Sequence, residues 1–152
     1  MTELFWIQKP FKTLALVELY AFLRLRSEVF VVGQNCVFLD MDNKDQKAHH
    51  LLGYDKRQQL VAYARLLAPN ISYNNMSIGR IVTATSARGV GIGKTLMQEA
   101  INRSYTLFGN ADIQIGAQLH LKPFYAAFGF QQSSAEYIED GIPHIEMIKP
   151  FI

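Results

Sequence analysis

Seven consecutive residues of this chain have the types and spacing to hold an anion: Arg88-Gly89-Val90-Gly91-Ile92-Gly93-Lys94. Glycines at 89, 91 and 93 strip side chains from the turn, so its backbone N–H groups are free to point at one bound group. A β-rich apolar stretch, Met76 to Ala84, precedes the turn, and a helical pattern follows it. A helix N-terminus presents unpartnered amides and the positive end of the dipole. Arg88 and Lys94 add full charges. The chemistry is that of a phosphate cradle.

Two nucleotide signatures compete for that turn, and neither fits. A Walker A loop, G-x-x-x-x-G-K-[ST], ends as Gly93-Lys94-Thr95 does. Its first glycine belongs at 88, where this chain has Arg, and Gly89 is one residue too late. A dinucleotide fingerprint needs G-x-G-x-x-G in the first βα unit. Here the glycines run G-x-G-x-G, past the middle of the chain.

Other residues could move protons. Tyr125 lies on the apolar stripe Leu121, Phe124, Tyr125, Phe128, spaced i, i+3, i+4, i+7, where a core aromatic is equally at home. His50, His120, His144, Glu28 and Asp140 are candidate bases. His49 and His50 adjoin on a strand and point to opposite faces, which argues against a shared metal. Asp40, Asp42 and Asp45 lack the Gly and closing Glu of a calcium loop and read as a solvated loop. The single cysteine, Cys36, excludes an internal disulfide and a Cys-based zinc site. Among Val and Phe it reads as a small packed side chain, inert when buried.

The elements that must position these groups fit one domain over residues 1–152. With 49% hydrophobic and 18% charged residues, the chain folds rather than staying disordered. A net charge of +2 with no basic run argues against nucleic acid or an anionic membrane as partner. No apolar run approaches the roughly 20 residues of a membrane span, and Met-Thr-Glu-Leu-Phe-Trp does not open like a signal peptide. These features point to the cytoplasm.

Leu4 to Gln8 reads as a strand, followed by a largely buried helix capped by Thr13 and running to about Phe30. Gly33-Gln34-Asn35 breaks it. His49 to Tyr54 and Gln59 to Ala68 form a hairpin around Asp55–Gln58. After the glycine turn, Ile92, Leu96, Met97, Ala100, Ile101, Tyr105 and Phe108 fall on one helical stripe, which Gly109-Asn110 ends. Ala111 to Ala117 is a strand, a short helix carries Tyr125, and Phe130 onward and Ile142 to Lys149 close the chain as strands. The order β-α-β-β-β-α-β-α-β-β is an α/β fold, a mixed and mostly antiparallel sheet flanked by helices.

Arg88-Gly89-Val90-Gly91-Ile92-Gly93 also matches [Arg/Gln]-x-x-Gly-x-[Gly/Ala] at every fixed position. With Leu25–Val32, Ala62–Leu66, Ile78–Val82, Gly116-Ala117-Gln118, Phe124–Phe130 and Asp140–Ile145, the chain resembles the GNAT superfamily of N-acetyltransferases, and within it the ElaA-like family. The resemblance spans almost the whole chain. It implies the GNAT fold and transfer of an acetyl group from acetyl-CoA to a primary amine by direct attack in a ternary complex, with no metal. By that resemblance the backbone of Ile81, Val82 and Thr83 pairs with the pantetheine arm. The amides of Arg88, Gly89, Val90, Gly91, Ile92, Gly93 and Lys94 take the pyrophosphate. Gln118 contacts the cofactor arm, and Tyr125 stands near the sulfur as the catalytic acid.

The amine acceptor, a small molecule or a peptide, is left to Glu28, His120 and His144, with His120 just past Gln118 and His144 on the last strand. Specificity would lie in the loops Phe30–Lys47 and Pro69–Asn75. The resemblance departs at Val31-Val32-Gly33-Gln34, where the ElaA-like pattern carries Glu in place of Gly33. A carboxylate that could bind a cationic acceptor or take a proton is missing, with Glu28 or the Asp40–Asp45 loop as substitutes. The alternative reading is therefore a CoA-binding module of the same fold with weak or lost catalysis, in either case a monomer or homodimer.

Overall fold

The computed structural model describes residues 3–152; Met1 and Thr2, the start of the stretch read for a leader, lie outside the described residues. A mixed sheet of eight strands runs in the order β1-β2-β3-β4-β5-β8-β6, with β7 paired to β8. The strands are β1 (Phe5–Pro10), β2 (His49–Tyr54), β3 (Leu60–Leu67), β4 (Met76–Thr83), β5 (Ile113–Gln118), β6 (Gln131–Gln132), β7 (Tyr137–Glu139) and β8 (Ile142–Lys149). Three helices, α1 (Leu16–Arg26), α2 (Ile92–Phe108) and α3 (Lys122–Ala126), pack around it. Among the described residues, no helix is long and apolar enough to cross a membrane.

The expected alternation builds two cores, one on each face of the sheet. Leu51, Ala62, Ala64, Leu66, Ile113 and Ile115 face α2, meeting Ile92, Leu96, Met97, Ala100 and Ile101. Leu52, Tyr63 and Val82 point the other way and meet Phe22, Leu25 and Val29. The stripe predicted for α2 is the one it buries, and Gly109, at φ +95°, ends it.

The first helix departs from the expectation. Thr13 does not cap it; its hydroxyl donates to the Pro10 carbonyl at 3.3 Å. The α-helix starts after Ala15, whose amide donates to Glu18 Oε1 at 2.7 Å, so the cap comes from inside the first turn. Beyond Arg26 the chain widens into a π-helix over Ser27–Gly33. Nor is the helix largely buried: Leu16, Val17 and Tyr20 are exposed.

The Asp40–Asp45 loop corrects the sequence reading more sharply. It is not solvated; Asp40 and Asp45 are buried. Arg26, with no exposed surface, donates to Asp40 Oδ2 and to Asp45 Oδ1, each at 2.8 Å. Arg65 donates to Asp42 at 2.7 and 2.8 Å and to Asp45 at 3.0 Å. Burial works to raise the Asp45 carboxyl, but Arg26 and Arg65 outweigh it and hold it below the usual range. Three arginines from α1, β3 and β4 thus pin the loop against the sheet.

The sheet is interrupted where it matters for function. β4 and β5 run parallel but pair only at Met76–Ile113 and Ser77–Gln114. Beyond that rung they splay. The β3–β4 register also slips between Tyr63 and Arg65, giving β4 an extra residue, and Arg80 takes φ +49° there.

Candidate active site

The splay leaves the C-terminal half of β4 with no partner strand on its β5 side, so an unpaired edge runs through the middle of a sheet. Such an edge is a template for an extended ligand. A cleft of about 770 Å³ opens there, and Ile81, Val82, Thr83, Arg88, Gln118, His120, Tyr125 and His144 all border it.

The glycine turn stands beside the cleft. Gly89 and Gly91 take φ of +87° and +81°, conformations that L side chains rarely adopt, and nothing lies within 4 Å of where a Cβ would be. Among the described residues, the amides of Gly89, Val90 and Gly91 donate to no carbonyl. Those of Ile92, Gly93 and Lys94 open α2 and lack intrahelical partners by geometry. The Ile92 side chain is buried in the core, so only its backbone faces outward. An open concavity of unpartnered amides between two cations fits a pyrophosphate. Gly89 to Lys94 do not border the cleft itself, so the turn serves one end of it.

Tyr125 is carried into the cleft by α3, where Pro123 sits in the first turn. Its ring packs edge-on against Phe124 and Phe130, and the residue is buried. Its hydroxyl has no hydrogen bond among the described residues. Burial alone pushes the phenol up to about 12, so it is a protonated donor at neutral pH.

The opposite wall belongs to β7 and β8. His144 pairs with Gln118 across the β5–β8 register and with Tyr137 across β7–β8. Its Nδ1–H donates to the Ile142 carbonyl at 2.7 Å, which leaves the Nε2 lone pair free on the neutral ring. Glu139 Oε2 lies 3.5 Å from Nε2. His120 reaches the cleft from the short turn Leu119–Leu121.

Two sequence candidates lie elsewhere. Glu28 does not border the cleft; it is exposed and accepts from Arg24 Nε at 2.7 Å on the outer side of the helix. His50 is buried between Tyr63, whose hydroxyl is 2.7 Å from Nδ1, and the Asp45 carbonyl, 2.9 Å from Nε2. Burial lowers it to about 4, despite the opposing Asp45 contacts. Asp140 borders the cleft through a tight turn at φ +50°. Cys36 also borders it, with Sγ donating to the Asp140 carbonyl at 3.2 Å. At Gly33 a Cβ would stand 2.9 Å from the Glu28 carbonyl oxygen, so the π-turn as built excludes the side chain that the ElaA-like pattern carries.

Sequence reasoning missed Tyr73, Tyr137, Glu139 and Glu146. The last three were within reach, because residues two apart on a strand share a face and β8 aligns His144 with Glu146. Tyr73 sits in the 69–75 loop, and no local pattern marks it.

A mixed sheet split at β4 and β5, with an amide cradle at one end of the split, is the architecture of the acyl-CoA N-acyltransferases. Residues 31–151 match the sequence profile described as Acetyltransferase (GNAT) domain. A UPF0039 protein of Synechocystis is 43% identical over 146 residues, covering 96% of this chain and 95% of that one. The crystal structure of an acyl-CoA N-acyltransferase from Pseudomonas aeruginosa superposes with a TM-score of 0.92 at 40% identity, covering 97% of this chain and 99% of that one. Escherichia coli ElaA gives 0.89 at 36% identity, with the same coverage. The chain belongs to the GNAT acetyltransferase family, in its ElaA-like group. The GNAT fold binds acetyl-CoA or CoA.

Proposed function

We propose that this protein transfers the acetyl group of acetyl-CoA to a primary amine by direct attack in a ternary complex. The observation that carries this reading is the split between β4 and β5, which opens one cleft bordered by Arg88 at the start of the amide cradle, by Tyr125 and by His144. Acetyl-CoA supplies a thioester carbonyl and a thiolate leaving group.

The turn from Arg88 to Lys94 holds the pyrophosphate, and the free β4 edge at Ile81, Val82 and Thr83 pairs with the pantetheine arm. The edge amides near Val82 polarise the carbonyl as charge develops on its oxygen. Gln118 lies across the gap, as a contact for the arm. His144 Nε2 takes the proton that the amine sheds as the N–C bond forms and the C–S bond breaks. Glu139, 3.5 Å away, stabilises the imidazolium. Tyr125 gives its phenolic proton to the departing sulfur, whose conjugate acid has a pKa of about 8.5 by analogy with Cys, and regains one from solvent as the His144 imidazolium releases the amine proton.

Incubation with acetyl-CoA and a panel of primary amines is expected to release free CoA thiol and give products 42 Da heavier, about the mass of an acetyl group replacing a proton. A protein that binds CoA tightly but acetylates nothing across the panel would instead be the silent binding module.

A further inference from the structure

Three groups that border the cleft on its acceptor side (Tyr73, Glu139 and His144) and two beside it (Tyr137 and Glu146) offer lone pairs that the described residues leave without a strong donor. Tyr73 reaches in from the 69–75 loop and Tyr137 from β7. Their hydroxyls lie 3.1 and 3.3 Å from the point where a Cβ on Gly116 would be, so both converge over that glycine. Neither is hydrogen bonded within the described residues. Glu146 pairs with Gly116 across the β5–β8 register and shares a face with His144. Its carboxylate is half-buried and, among the described residues, has neither a salt bridge nor a hydrogen bond. It lies close enough to act on both phenols. Burial, then Tyr137, Glu146 and Glu139, push Tyr73 up to about 12, and burial with the same two carboxylates raises Tyr137. His144 is 8% exposed, and its Nε2 faces Glu139 Oε2 at 3.5 Å. A proton shared at Nε2, or an incoming N–H donor, can bridge those two atoms.

Carboxylates, phenol oxygens and an imidazole lone pair outnumber the two phenolic protons among them, so this wall favours a ligand that brings N–H donors in place of water. Of the cations along the same cleft, Arg88 lies at the cradle end and the other three are committed elsewhere: Arg65 to Asp42 and Asp45, Arg80 to Asp40, and Lys44 to the Ser72 hydroxyl at 2.9 Å. The lone-pair groups also form two stations. His144 with Glu139 lies beside Gln118; Glu146 with Tyr73 and Tyr137 lies over Gly116. Two residues along a strand separate them, about 7 Å. That is the span between the nitrogens of a short alkane diamine.

We infer that the acceptor is a short aliphatic diamine, its reacting nitrogen at His144 and Glu139 and its second ammonium held over Gly116 by Glu146, Tyr73 and Tyr137. This rests on the acyltransfer reading above. Gly116 leaves room for this, since a Cβ there would stand 3.1 and 3.3 Å from the Tyr73 and Tyr137 hydroxyls and crowd the approach to them. Aromatic rings beside a carboxylate suit an ammonium by charge and by the ring quadrupole.

The test compares 1,4-diaminobutane with butylamine, which lacks the second nitrogen, and 4-aminobutanoate, which replaces it with a carboxylate. Binding of each to the CoA-loaded protein is measured by calorimetry and turnover by thiol release, in wild type and in Glu146→Gln. The diamine is expected to bind at least tenfold tighter than either control and to show the same preference in kcat/KM. Glu146→Gln should collapse the diamine-to-butylamine ratio toward one, and Tyr73→Phe, which keeps the ring and removes only its hydroxyl, should reduce it. Equal binding of butylamine or 4-aminobutanoate in wild type, or an undiminished preference in Glu146→Gln, overturns the proposal. Preferential diamine binding without thiol release would uphold this site and sink the acyltransfer reading instead.

Discussion

Arg80 and Asp40 are joined across 40 residues of chain: Nε donates to Oδ1 at 2.8 Å and Nη2 to the Asp40 carbonyl oxygen at 2.8 Å. Arg80 holds a positive φ at the β4 bulge, and Asp40 anchors the loop that roofs the cleft. The contact ties the irregular point of the central strand to the wall facing it. Asp40 serves Arg26 at the same time, so one carboxylate compensates two guanidinium groups, one of them fully buried.

Removing that carboxylate should therefore be costly. Asp40→Ala leaves Arg26 with Asp45 as its sole carboxylate, and Arg80 with the backbone carbonyl of residue 40 and, as its only carboxylate, Asp42 at 3.5 Å. Loss of one partner of a buried pair costs about 3–5 kcal/mol. The exposed Arg24–Glu28 pair is the control, where Arg24→Ala should cost less than about 1 kcal/mol. Urea denaturation reads both, and equal losses would show that the buried network contributes no more than a surface pair.

The Tyr125 hydroxyl makes no bond that the fold depends on, so Tyr125→Phe should leave stability within about 1 kcal/mol. In its proposed role as the acid for the leaving sulfur it should matter far more to chemistry, with kcat lower by about 100-fold. Its pKa of about 12 means that the acid stays protonated well into alkaline pH, so wild-type kcat should show no basic limb from this group below about pH 10. Turnover by thiol release at saturating donor checks this, and an unchanged kcat removes the assigned role.

What the sequence made legible is local. The α2 stripe follows from a helical period and a glycine stop, and the two faces of β2 and β3 from alternation, so both could be written down from the chain. The cradle is legible because glycines at 89 and 91 signal the backbone shape that the turn adopts. Non-local pairing is not. Asp40, Asp42 and Asp45 look solvated because nothing near them in sequence is basic enough to bury them; their partners arrive from α1, β3 and β4. Glu28 looked like an acceptor-side carboxylate because this chain has Gly33 where the ElaA-like pattern carries Glu, yet its helix turns it outward. Tyr73 and Glu146 meet only because a loop and a strand distant in sequence share one wall.

The cradle itself can be weakened without collapse. Gly91→Ala forces a side chain into φ +81° at a cost of about 1–2 kcal/mol. Open space around the Cβ means that no core contact is lost. The turn should relax away from the anion-binding shape, and CoA affinity should fall about tenfold by calorimetry, in line with that cost. Because Arg88 and Lys94 flank the turn, wild-type affinity should also fall as salt rises. CoA binding unaffected by both changes would place the pyrophosphate elsewhere.

Acid stability should fall in two stages, and His50 sets the first. Its folded value, about 4, lies below the ordinary 6.5, because burial disfavours the charged ring. Between those limits the unfolded chain binds a proton that the folded chain refuses. The stability is therefore full above pH 6.5 and lost as pH falls toward 4. At about 1.4 kcal/mol per pH unit, that gap is worth roughly 3 kcal/mol. His49, also lowered by burial, adds a smaller slope of the same sign. Asp42 and Asp45 are held low by their arginines, so their contribution persists above the usual carboxylate range and is lost only at more acid pH. Denaturant titrations from about pH 2 to about pH 8, to span the groups involved, should show both stages in wild type. His50→Gln should flatten the first and keep the second, whatever its absolute stability. An unchanged slope between pH 6.5 and 4 in that variant would mean that the buried imidazole does not set the acid limit of the fold.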